Sequence, residues 1–78
     1  MTDPAELILS VPLGTRMTVR RRIEGGFTDA LGYIRERTET GCVVETRRGL
    51  VAIPFAEVAA ARVVPHPPPP RAPRHPLI

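Results

Sequence analysis

Arg20-Arg21-Arg22 is the densest run of one charge in the chain, and its natural chemistry is anion recognition. On an extended segment, alternate residues share a face. Arg20 and Arg22 therefore stand about 7 Å apart, close to the spacing of successive nucleic-acid phosphates. Arg47 and Arg48 precede Gly49 at the tip of an expected hairpin and extend that patch. A guanidinium fork meets phosphate or carboxylate through two parallel hydrogen bonds. The four candidate binding residues are thus Arg20, Arg22, Arg47 and Arg48. The same side chains also suit a solvated strand face neutralised by Glu24, Glu36 and Glu45. Two Phe, one Tyr and no Trp provide no platform on which unpaired bases stack.

The residue types that catalyse reactions are few and badly placed. His66 and His75 are the only histidines, and both lie in a proline-rich tail. A general base must be held within hydrogen-bond reach of its substrate, and no element there holds one. Cys42 sits in a β-branched run with no histidine near enough to activate it, so it reads as a small buried hydrophobe. Ser10 also lacks a base, and the acids form no dyad. Gly25-Gly26 does not lead from a strand into a helix, as a dinucleotide phosphate loop would. A single cysteine excludes an internal disulfide and any multi-cysteine zinc site. The expectation is a non-enzyme without cofactor or metal.

What positions these residues is a single small domain. The chain has 78 residues, of which fewer than about 65 can fold, giving a stability of about 3–9 kcal/mol. All eleven basic residues are arginine, a usage that reads as codon bias in a GC-rich bacterial genome. The formal charge is +3. The acidic start and the short run Leu7–Leu13, broken by Ser10 and Pro12, suit neither a signal peptide nor a membrane span. A cytoplasmic protein is expected.

The elements follow from local pattern. Residues 1–6 read as a frayed polar leader, and Leu7–Val11 as a helical turn or a short strand. Arg16–Ile23 alternates with Met17, Val19 and Ile23 on one face, the period of a half-buried strand. Arg21 breaks that face, which points to a strand end or a bulge. Glu24–Asp29 is expected as a long loop opened by two glycines. Ala30–Thr38, Cys42–Arg47, Leu50–Ile53 and Ala59–Val64 are expected as strands, with Gly32 marking a bend or a close backbone approach. Phe55–Val58 suits one 3₁₀ turn. Five strands in this order predict an all-β fold, a small five-stranded SH3-like barrel over residues 7–64. An OB-fold is the main rival, but no segment supplies its helix. From Pro65 seven of fourteen residues are proline, which predicts a disordered linker of polyproline II character over 65–78. Two P-x-x-P matches there also fit an SH3 or WW ligand.

Leu13-Gly14-Thr15-Arg16-Met17-Thr18-Val19-Arg20-Arg21-Arg22-Ile23 is followed by Thr28-Asp29-Ala30-Leu31-Gly32, Thr46-Arg47-Arg48-Gly49, Ile53-Pro54 and Val58–Pro65. Together they resemble the SH3-like domain at the N-terminus of actinobacterial GNAT-type N-acetyltransferases. The similarity spans about residues 7–65. It implies an accessory barrel joined by a proline-rich linker to an acetyl-coenzyme A-dependent domain. These 78 residues hold no acetyl-coenzyme A loop, so the activity does not carry over. The sequence therefore predicts a non-catalytic interaction module whose partner is an acetyltransferase domain or another protein. The alternative is a small nucleic-acid-binding barrel, and no membrane partner is expected.

Overall fold

The computed structural model describes residues 3–65. The tail expected over 65–78 lies outside them except for Pro65, and so do His66 and His75. The leader expected over 1–6 differs from what is found, because helix α1 spans Pro4–Ser10. Asp3 caps it by accepting the Ala5 N–H at 3.4 Å, and Pro4 needs no donor in the first turn. Pro12 drives Val11 into extended backbone and ends the helix. Ile8 is the one side chain of α1 that is buried. Carbonyls at the end of α1 and at its exit are met by Arg37. Its Nη1 donates to Ile8 O at 3.0 Å and also to Val11 O.

Strand β1 runs over Arg16–Ile23, the bounds expected from alternation. Strand β2 runs over Gly26–Arg37 and corrects the expected long loop. Only Glu24 and Gly25 form the turn, with Gly25 at φ +86, the left-handed backbone a tight hairpin needs. Phe27, Thr28 and Asp29 then pair with Arg22, Arg21 and Arg20. The aromatic and β-branched residues favour strand, and Asp29 meets a guanidinium directly across the ladder.

Strands β3 (Gly41–Thr46) and β4 (Gly49–Pro54) form the second hairpin around Arg47 and Arg48. Thr46 Oγ1 accepts the Arg48 N–H and donates to Gly49 O, fixing the turn. Gly49 has φ +117. A 3₁₀ turn over Phe55–Glu57 leads into β5 (Val58–Val63). The sheet order is β4-β3-β2-β1-β5, with every pairing antiparallel. The sheet is unclosed: β4 and β5 are its edges, and no ladder joins them among the described residues.

The inner face of the sheet buries Met17, Val19, Ala30, Ile34, Cys42, Val44, Ile53 and Val58, with Ile8 of α1 completing the cluster. No polar or charged residue is buried among the described residues. Burying each large aliphatic side chain contributes about 1.5–3 kcal/mol. Gly32 is obligatory: a Cβ there would lie 1.9 Å from Glu45 O on the neighbouring strand. The close approach expected at this glycine is therefore present. No helix among the described residues is long and apolar enough to cross a membrane.

Candidate functional site

The hydrogen-bonded ladder separates the four arginines singled out by the sequence. Arg20 and Arg22 project from the outer face of β1, opposite Asp29 and Phe27. Arg20 is engaged: Nε donates to Asp29 Oδ1 at 2.9 Å and Nη2 to Oδ2 at 3.2 Å. The Arg20 hydrogen bonds hold the Asp29 carboxyl below its ordinary range, and the charges of Arg20 and Arg62 add to this. The same hydrogen bonds raise the Arg20 guanidinium further. Arg22 makes no hydrogen bond or ion pair among the described residues. The side chains of Arg47 and Arg48, exposed at the β3–β4 turn, are likewise without partners there.

The residue the patch omitted is Arg21. It points toward the inner side of the sheet, where β1 shifts register against β5 between Arg20 and Arg21. Its side chain is 28% exposed, and its Nε is buried without a hydrogen-bond partner. The nearest carboxylate oxygen, Glu57 Oε1, is 4.0 Å away. Arg21, Thr28, Ala30, Thr46, Arg47 and Arg48 line one concavity of about 470 Å³ beside the first hairpin. The structure thus groups Arg47 and Arg48 with Arg21, and leaves Arg20 and Arg22 on the other face. The break in apolar alternation at Arg21 was the one sequence signal for this placement.

The concavity exists because β3 stops short. β2 pairs with β3 only from Gly32, which faces Thr46. From Gly26 to Leu31, β2 is paired with β1 alone. Ile34 turns both its N–H and its C=O toward Thr15 and Gly14, on the β1 side. Alternation therefore places the backbone groups of Phe27, Asp29 and Leu31 on the free edge.

Chemistry elsewhere is sparse. Cys42 is a free, buried thiol, and burial raises its pKa, so it behaves as a core residue. Ser10 Oγ donates to Leu7 O. No group of three or more His, Cys, Asp or Glu residues among those described is arranged to hold a metal ion. A cleft of about 330 Å³ beside Cys42 is lined by residues of β2, β3 and β4, among them Arg37, Val43, Ala52, Ile53 and Pro54. No protein-family model matches the chain, and no curated protein or solved structure matches it.

Proposed function

We propose that the chain is a non-catalytic accessory module, an SH3-like barrel that binds a protein partner, with an acetyltransferase domain as that partner. The strand order β4-β3-β2-β1-β5, with one 3₁₀ turn between β4 and β5, supports the SH3-like assignment. The resemblance of residues 7–65 supports the acetyltransferase connection. The observation that carries the interaction role is the first hairpin. It projects past β3 with an unpaired edge, and Phe27 and Leu31 on its outer face are 59% and 42% exposed. Free strand edges and exposed apolar side chains are the surfaces by which sheets recruit other chains. Cys42 as a free thiol suits a reducing cytoplasm. Affinity purification of the chain from the organism that encodes it, followed by mass spectrometry, should recover an acetyltransferase. Recovery of other proteins only would refute that partner.

A second reading, nucleic-acid binding, is favoured by the three arginines without partners, Arg22, Arg47 and Arg48. Binding would then fall with salt at a logarithmic slope of about −0.9 per phosphate contacted. Absence of binding at low salt would exclude it.

A further inference from the structure

We infer that the groove between the free edge of β2 and the β3–β4 turn takes up an extended acidic peptide as an added strand. This rests on the reading of the chain as a protein-binding module, and it names the chemistry of the partner segment. Two independent features converge on that occupant.

The first is the backbone. Phe27, Asp29 and Leu31 present unpaired N–H and C=O groups along one line, in the space into which β3 would extend if it continued beyond Thr46. A strand laid there continues the ladder that β3 begins, and each partner residue of matching phase exchanges two hydrogen bonds. No side chain identity is required for that pairing, so the edge alone gives affinity without selectivity.

The second is charge. Arg21, Arg47 and Arg48 line the same concavity. None has a side-chain hydrogen-bond partner among the described residues, and only Arg21 has a carboxylate as near as 4.0 Å. The one carboxylate lining the groove, Asp29, is already held by Arg20. An incoming strand with carboxylates on alternate residues places them all on one face, which is how the three guanidiniums are reached from a single ladder. A nucleic acid would use the charges and leave the strand edge unsatisfied, so the peptide uses more of what is present.

The test is fluorescence anisotropy on the full chain with a labelled peptide of alternating Glu and Val, about eight residues long so that it overlaps the free edge at about 3.3 Å per residue. Three further probes are a Lys/Val counterpart, the Glu/Val peptide N-methylated at alternate residues, and an oligothymidine. The Glu/Val peptide should bind, and the Lys/Val and N-methylated peptides should bind at least about tenfold more weakly, the loss expected when a set of charge-assisted or ladder bonds goes. The double variant Arg47→Glu, Arg48→Glu should weaken the Glu/Val peptide about tenfold. Both positions are exposed turn sites without side-chain partners, so an unchanged melting temperature will confirm that this variant folds. No binding of the Glu/Val peptide, or equal binding of the N-methylated form, overturns the inference. Tighter binding of oligothymidine through the same arginines overturns it in favour of nucleic acid. A chain that recovers an acetyltransferase yet ignores the Glu/Val peptide leaves the module reading standing and removes the groove from it.

Discussion

The two halves of β2 differ in what flanks them: β1 alone pairs with the first, and β3 pairs with the second. From Gly32 to Arg37 the strand pairs with β3, with β1 on the other side of Gly32 and Tyr33 and the Gly14–Thr15 turn beside Ile34; it buries Ile34 completely and approaches Glu45 so closely that position 32 admits no side chain. From Gly26 to Leu31 it has one neighbour, and five of its six residues are exposed, Phe27 by 59%. Even Ala30, buried there, is small. The same ladder thus serves as a wall of the core at one end and as an open edge at the other. Stability is concentrated where β2 pairs with β3 over the core, and recognition surface where β1 is its sole partner.

That contrast can be broken most severely at Gly32. Gly32→Val should cost about 4 kcal/mol or more and leave the domain largely unfolded, because strands β2 and β3 must separate to admit the side chain. Chemical denaturation reads this, and a loss under about 1 kcal/mol would mean that the close approach is not needed. Next in size, Ile34→Ala should cost about 2–4 kcal/mol by emptying the core, whereas Phe27→Ala on the arm should stay within about 0.5 kcal/mol. Equal losses in the two variants would erase the distinction between the halves. Arg37→Met keeps the aliphatic stem but removes the donors to Ile8 and Val11. It should cost about 1–2 kcal/mol and release α1 first in hydrogen exchange.

The smallest effect concerns Asp29, on the exposed half. Its folded-state pKa lies below the ordinary value of 3.8, so its contribution is in place above that value and is lost as pH falls through the lowered one. Asp29→Asn should therefore reduce the melting temperature slightly near neutrality, and the gap from the native chain should close as the pH drops below 3.8. A gap that persists in acid would mean that the carboxylate charge is not what links the two strands.

Much of this organisation was legible because it is written locally. The alternation of Arg16–Ile23, the Arg47-Arg48-Gly49 turn, the 3₁₀ turn after Pro54 and the crowding at Gly32 each depend on a few adjacent residues. The arm of β2 was not legible in that way. Gly25-Gly26 looks like the opening of a loop, but Gly26 already belongs to the strand, and only pairing with β1 reveals it. The grouping of Arg21 with Arg47 and Arg48 depends on where β3 ends relative to β2, a long-range register that no local pattern encodes. The patch was therefore expected on one face, and the ladder divided it between two. Helix α1 is one of two alternatives that the sequence allows over Leu7–Val11, and its start at Pro4 is not legible there, because seven residues with one buried position carry too little periodicity to declare themselves.

The Arg37 clamp also bears on the order in which the molecule comes together. A helix of seven residues does not persist alone in water, since nucleation outweighs the few bonds it closes. The donor to the carbonyls of Ile8 and Val11, Arg37, sits 29 and 26 positions beyond them, on a strand that needs β3 to hold it there. The helix leaves the ribosome before Arg37 does, so it settles late and waits for a partner that has yet to be synthesised.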